Sequence, residues 1–171
     1  PEFMDVFCAA TATIPEAGLY RTSLTVRSSG GTSAASLPPC PDGYLTPGRF
    51  LDFYPHLGNW LGGPVNTAYR RESFISVGGF DTCLPAVADY KTAALCALDL
   101  GVLVEASPLA EFVLHGNRFS HGIKKRKVCG SLELVIILGQ VLRFASSRNL
   151  PLVPANFRRA ILKQLKIDYF H

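Results

Sequence analysis

The chain has 171 residues, a length that fits one folded domain. Because 48% of the residues are hydrophobic and only 18% are charged, the composition excludes a disordered chain. A net charge of +4 is too small to indicate a nucleic-acid partner, which would need more basic charge interleaved with exposed aromatic residues. No apolar run approaches the roughly 20 residues that cross a bilayer, and no signal peptide is visible. A cytoplasmic location is therefore expected.

The five cysteines are scattered and form no Cys-x-x-Cys pair. None of them has zinc-ligand spacing to a histidine. This pattern predicts free thiols in a reducing compartment, with Cys8 and Cys96 in the core.

The first third of the chain predicts strands and a long loop. Residues 1–3, which precede Met4, are typical of a cloning remnant and are excluded from the predicted fold. Val6 to Ile14 and Leu19 to Val26 are rich in β-favouring residues and predict a hairpin. The stretch from Ser28 to Pro41 is small, polar and broken by prolines, so it predicts a loop.

Helix signals dominate the middle of the chain. Thr46 and Pro47 predict an N-cap and first residue of a helix that continues to Tyr54. After a short predicted strand from Val65 to Tyr69, a helix from Arg70 to Val77 is expected to stop at Gly78-Gly79.

The next helix is predicted from Asp89 to Leu100, with Gly101 ending it. Two strand-like segments follow, Val102 to Glu105 and Ala110 to Leu114, with a bend at Ser107-Pro108.

The composition changes at His121, where a basic run, Lys124 to Lys127, precedes apolar and basic helical patterns. The patterns predict helices from Ser131 to Ser147 and from Pro154 to Tyr169, which would form a hairpin. We therefore predict an α/β domain over residues 4–120, with a mixed sheet and flanking helices, and a basic helical extension over 121–171. The basic run is typical of a solvent-exposed face of the protein. The alternative is that it contacts anionic lipid headgroups.

Asp89 is the main catalytic candidate. A carboxylate that opens a helix after a proline-containing loop is favoured in its ionised form and can act as a general base towards a hydroxyl. The alternative is that Asp89 only caps the helix. Asp81, after Phe80, has a structural interpretation: it bonds local backbone N–H groups, while Phe80 anchors the turn in the core.

Substrate-binding candidates surround a glycine-rich turn. Gly62 and Gly63 allow a ligand to approach the backbone, and Trp60 before them can stack on a sugar or base, although most tryptophans are core residues. The guanidinium groups of Arg70 and Arg71 can bind a phosphate or carboxylate through two hydrogen bonds. The alternative is that they only pair with Glu72 or Asp89.

His115, after a predicted strand, is a candidate metal ligand or hydroxyl partner, although a lone histidine is more often structural. No Gly-x-Ser-x-Gly, Walker or dinucleotide motif is present.

Residues Gly62 to Ser120 resemble the C-terminal, acceptor-side half of family-two inverting glycosyltransferases, which have the GT-A fold. The residues that carry the resemblance are Gly62-Gly63, Asn66 to Arg71, Val77-Gly78-Gly79-Phe80-Asp81, Asp89-Tyr90, Gly101, Pro108, His115 and Ser120. The resemblance implies that Asp89 deprotonates the acceptor hydroxyl. It also implies that Trp60, Gly62, Gly63, Arg70 and Arg71 line the acceptor and diphosphate side, with His115 as a metal or phosphate contact.

Two departures from the family pattern are visible. Ala88 replaces a glutamate before Asp89. The chain also contains neither an Asp-x-Asp motif nor the N-terminal nucleotide-binding β/α half, which the family uses to bind the nucleotide and its metal. The resemblance therefore implies a partial enzyme that uses a nucleotide-sugar donor and a saccharide or lipid-linked acceptor. It also implies a divalent cation, Mn²⁺ or Mg²⁺, whose ligands are mostly absent from this chain. The alternative is a non-catalytic carbohydrate-binding or protein-interaction module. Either is compatible with association at the inner face of a membrane.

Overall fold

A computed structural model describes residues 2–28, 31–34, 42–57, 61, 63–84, 87–113 and 127–151. The helices are α1 (Glu2–Thr13), α2 (Pro47–Leu57), α3 (Arg71–Ser76), α4 (Ala88–Leu100) and α5 (Lys127–Ser147), with a 3₁₀ turn at Pro64–Asn66. The strands are β1 (Leu19–Ser28), β2 (Gly31–Ala34), β3 (Gly43–Leu45), β4 (Thr67–Tyr69) and β5 (Val102–Val113). This is an α/β fold, as predicted: a mixed sheet with flanking helices.

β1 lies at the centre of the sheet. It is parallel to β5 and antiparallel to both β4 and β2, while β3 continues the sheet on the far side of β5. The two segments predicted on either side of Pro108 form one strand, and its register with β1 shifts at Ser23, which lies opposite Pro108. The predicted bend is therefore an irregularity inside a continuous strand.

The predicted N-terminal strand is wrong, because the chain from Glu2 to Thr13 is helical. Phe3 and Phe7, four residues apart, lie on one helix face, and their rings contact the Tyr20 ring at centroid distances of 6.0 and 5.1 Å. Thr11 donates its hydroxyl proton to the Phe7 carbonyl at 2.8 Å, a bond within the helix. Packing of the aromatic face thus overrides β-propensity, and the excluded Phe3 is part of that packing.

Local signals placed α2 and α3 correctly. Pro47 begins α2, and Thr46 Oγ1 accepts the Arg49 N–H at 3.4 Å. α3 ends at Ser76, just before the positive-φ pair Gly78 and Gly79. Strand β2, in contrast, falls inside the predicted loop and pairs with the end of β1.

A buried amide joins the 3₁₀ turn to the central strand. Asn66 is fully buried and donates from Nδ2 to the Thr22 carbonyl at 2.6 Å. Because this turn occupies residues 64–66, the strand predicted from Val65 begins at Thr67 instead. The bond fixes the start of β4 against β1.

α4 is the central helix of the core, and most of its residues are buried. One apolar cluster unites it with α2, the sheet and α5; its α5 members are Ile137, Leu138, Val141 and Ala145. Cys96 is buried in this cluster as predicted, and burial raises the pKa of its thiol to about 11. Cys8 is exposed, so its predicted core position is wrong.

The side chain of Asp99 ties three helices together. It accepts hydrogen bonds of 3.0 Å from both Ser73 and Ser76 of α3, and it pairs with Arg148 after α5. α5 thus packs on the same core as the sheet, while the proposed domain division at residue 121 stays a prediction.

Residues 124–126 of the basic run and the helix predicted from Pro154 to Tyr169 lie outside the described residues, and Lys127, the last residue of the run, begins α5. Of the helices in the described ranges, none combines the length and apolarity that crossing a membrane requires.

Candidate active site

Asp89 lies in the first turn of α4 and is half-buried. Val87 occupies the N-cap position without a side-chain cap bond, so Asp89 is the second residue inside the helix. One carboxylate oxygen, Oδ1, accepts the Tyr90 N–H at 2.8 Å. Oδ2 has no hydrogen-bond partner among the described residues, which leaves it available to accept a proton or a hydrogen bond.

Tyr69, the last residue of β4, lies close enough to Asp89 to sense its charge. Burial and, second, the negative charge of Asp89 raise the pKa of the Tyr69 hydroxyl well above its ordinary value. The hydroxyl, which is protonated at neutral pH in any tyrosine, is a hydrogen-bond donor within range of the Asp89 charge.

Three aromatic side chains extend the site from Tyr69; we call Tyr69, Phe74 and Phe80 the aromatic platform. Phe80 contacts Tyr69 and Phe74 at centroid distances of 5.9 and 5.1 Å, with ring planes at 90° and 81°. Tyr69 and Phe74 are themselves 5.5 Å apart. These are favourable edge-to-face geometries.

The predicted core position of Phe80 is wrong, since 47% of the residue is exposed. The turn before it, with positive φ at Gly78 and Gly79, is fixed to α4 because Thr92 Oγ1 donates to the Gly79 carbonyl at 2.8 Å. A side chain at position 79 would approach the Phe74 ring to 3.1 Å, so glycine there lets Phe74 pack under the turn. Phe80 then lies over Phe74 at the surface.

Asp81 has the structural role predicted for it. Its Oδ1 accepts the Cys83 N–H at 2.9 Å, and its Oδ2 lies 2.7 Å from Lys91 Nζ. The Lys91 hydrogen bond, followed by that of Cys83, lowers the pKa of Asp81. The ion pair fastens the turn that carries Phe80 to the first half of α4.

We expect Lys91→Met to raise the pKa of Asp81 towards the ordinary aspartate value of about 3.9. A lowered native pKa stabilises the fold at pH values above the unfolded pKa, and this contribution is lost as pH falls through the native one. Lys91→Met should therefore reduce that contribution. Carboxyl ¹³C NMR during a pH titration measures the change. Lys91→Arg, which keeps the charge, is the control, and an unchanged Asp81 titration in Lys91→Met would contradict the assignment.

The arginine pair lies apart from Asp89. The Arg70 N–H bonds the Gly18 carbonyl, and the Gly18 N–H bonds the carbonyl of Gly101, which follows α4. Because α4 rises about 18 Å between Asp89 and Gly101, Arg70 and Asp89 lie towards opposite ends of the helix.

The Arg70 guanidinium pairs with Glu72 at 3.2 Å and donates to the Pro15 carbonyl at 2.6 Å. This is one of the two interpretations that the sequence left open. Arg71 is exposed at the start of α3. Their assignment as substrate contacts stays a prediction.

The other predicted ligand-binding residues are only partly described. Gly63 precedes the 3₁₀ turn, and its carbonyl accepts the Thr67 hydroxyl at 3.2 Å. Trp60, Gly62 and His115 lie outside the described residues. In the ranges that the structure describes, no group of three His, Cys, Asp or Glu residues could hold a metal ion, and the expected Mn²⁺ or Mg²⁺ stays a prediction of the resemblance.

Comparison with known proteins found no matching family model, no matching curated protein and no matching solved structure.

The sequence predicted that Asp89 lies at the start of α4, but not that the Tyr69 and Phe80 rings are in contact or that Phe80 is exposed. The available signal was the spacing of Tyr69, Phe74 and Phe80 around a Gly-Gly turn, which puts three aromatic residues within twelve positions. Their proximity depends on how β4, α3 and the following turn pack together.

Proposed function

We propose that this chain takes the acceptor-side part in glycosyl transfer from a nucleotide-sugar donor to a hydroxyl, with Asp89 as the general base. The observation that supports this most is the Asp89 carboxylate itself: it is half-buried, with one oxygen held by Tyr90 and the other without a partner among the described residues. A base must be held in place yet keep an oxygen for the proton it removes.

The proposed reaction is a single displacement with inversion. Asp89 Oδ2 takes the proton of the acceptor hydroxyl as that oxygen forms a bond to the anomeric carbon. The bond from this carbon to the nucleoside diphosphate breaks on the opposite face, and its electron pair leaves with the diphosphate. The product is a new glycosidic bond and a protonated Asp89, which then returns its proton to water.

Tyr69 supports this role as a hydrogen-bond donor within range of the charge of the base. Its hydroxyl carries a proton at neutral pH, and burial and the charge of Asp89 raise its pKa further. It can therefore donate to the acceptor oxygen or a neighbouring hydroxyl and orient the acceptor towards Asp89.

A second candidate, a non-catalytic carbohydrate-binding or interaction module, is favoured by the state of the cationic side chains. Arg70 is paired with Glu72 and Lys91 with Asp81. Cations already paired inside the chain are less available to a diphosphate. We also propose that the protein is cytoplasmic, either free or bound at the inner face of the membrane. Both locations are compatible with either candidate function.

Calorimetric titration with UDP and UDP-sugars in the presence of Mn²⁺ separates the two candidates. The enzyme proposal expects binding, and it expects a glycoside product by mass spectrometry when millimolar donor and an oligosaccharide acceptor are incubated with the chain. No heat of binding at millimolar ligand and no product would contradict glycosyl transfer and favour the module.

A further inference from the structure

The aromatic platform has two sides with different chemistry. Phe74 and Tyr69 are half-buried and anchor it, whereas Phe80 is nearly half exposed. The Phe80 ring makes nearly perpendicular contacts with the Tyr69 and Phe74 rings. Asp81, the next residue, forms an ion pair with Lys91, and together these contacts hold the exposed ring in one place. A rigid, exposed ring loses little conformational entropy when a ligand covers it.

The surroundings of the platform favour a particular ligand. Thr92 Oγ1 lies 2.8 Å from the Gly79 carbonyl and 2.9 Å from the Ala88 carbonyl, so the turn that carries Phe80 is fixed to the part of α4 that holds Asp89. The exposed ring is thus on the same side of the fold as the Asp89 carboxylate, and the Tyr69 ring contacts it. A saccharide ring has a matching arrangement, since its C–H groups form an apolar, partly positive face and its hydroxyls donate and accept hydrogen bonds. Aromatic faces carry partial negative charge and attract such C–H groups.

We propose that the aromatic platform is a saccharide-binding subsite, in which Phe80 packs on the C–H face of a neutral sugar ring and Tyr69 and Asp89 bind its hydroxyls. This names a substrate class, a neutral saccharide acceptor, and rests on the proposed function only for the reaction that follows binding. It also moves the sugar-stacking role from Trp60, where the sequence suggested it, to Phe80.

Saturation-transfer-difference NMR tests the subsite with cellotetraose, chitotetraose, mannotetraose and maltotetraose as probes. At least one probe should bind the wild-type chain at millimolar concentration. Phe80→Leu, which keeps an apolar residue but removes the ring, should weaken that binding at least fivefold, and Phe80→Trp should retain it. Phe112→Leu is the matched control, because Phe112 is exposed elsewhere, on β5, and should leave binding unchanged.

Each other outcome would overturn the subsite. These are the absence of binding by all four probes, equal binding by wild type and Phe80→Leu, and equal losses in Phe80→Leu and Phe112→Leu. Self-association that Phe80→Leu abolishes, without sugar binding, would identify an interface between copies of the chain instead.

The subsite and the proposed reaction can fail separately. Phe80-dependent sugar binding by a wild-type chain that forms no glycoside would support the subsite and contradict glycosyl transfer. Glycoside formation at the wild-type rate and wild-type acceptor KM in Phe80→Leu would support the transfer and contradict the subsite.

Discussion

Gly101→Ala is expected to destabilise the fold by about 3 kcal/mol or more, the largest stability effect that we predict. Gly101 has φ +82° and ψ 176°, a conformation that is nearly exclusive to glycine and costs other residues about 1–3 kcal/mol. A Cβ there would also lie 2.6 Å from the Leu45 carbonyl oxygen and from the Tyr44 ring, so β3 would have to move. Urea unfolding followed by circular dichroism measures the change.

Gly48→Ala is the matched control for this substitution. Gly48 lies in α2, and a Cβ at that position meets no atom within 4 Å. Alanine should therefore leave stability unchanged or raise it by about 0.5–1 kcal/mol, because it restricts the unfolded chain and favours the helix. Equal unfolding midpoints for Gly101→Ala and wild type would mean that β3 does not pack against the end of α4 as described.

Asp89→Asn is expected to lower kcat for glycosyl transfer by about 10²–10⁴-fold, the range typical of a lost general base. The amide keeps the size of the side chain and can accept a hydrogen bond from the Tyr90 N–H, so the thermal midpoint should stay close to that of wild type. Product formation with millimolar nucleotide sugar, measured by mass spectrometry over long incubations, gives the rates.

The control for Asp89→Asn is Asp52→Asn, in which an exposed carboxylate of α2 loses only a long 3.8 Å pair with Arg49. Its rate should equal that of wild type. Turnover at the wild-type rate in Asp89→Asn would remove Asp89 from the role of base.

The helices with clear stop and start residues could be predicted from the sequence. Thr46-Pro47 placed the start of α2, Gly78-Gly79 the end of α3, and Gly101 the end of α4, because each signal acts through its own backbone. α1 could not be predicted in the same way. Its Val, Thr and Phe residues favour a strand by themselves, whereas the contact of Phe3 and Phe7 with Tyr20 favours the helix.

In the candidate site too, features set by local sequence could be predicted, and features set by tertiary packing could not. The position of Asp89 in the first turn of a helix is a local property, and the sequence predicted it. The proximity of Tyr69 and Phe80 is not local, since the two rings come from β4 and from the turn after α3. The separation of Arg70 from Asp89 also depends on tertiary packing, through the bonds of Gly18 to Arg70 and Gly101.

The proposed function depends on an acceptor sugar reaching the Asp89 carboxylate. Its most direct test is the carboxyl ¹³C resonance of Asp89 during titration with the tetrasaccharide that binds most tightly. We predict a saturable shift of the Asp89 resonance, with no shift for Asp52 on α2. A titration in which Asp89 does not respond, or in which Asp89 and Asp52 shift equally, would contradict the proposed function.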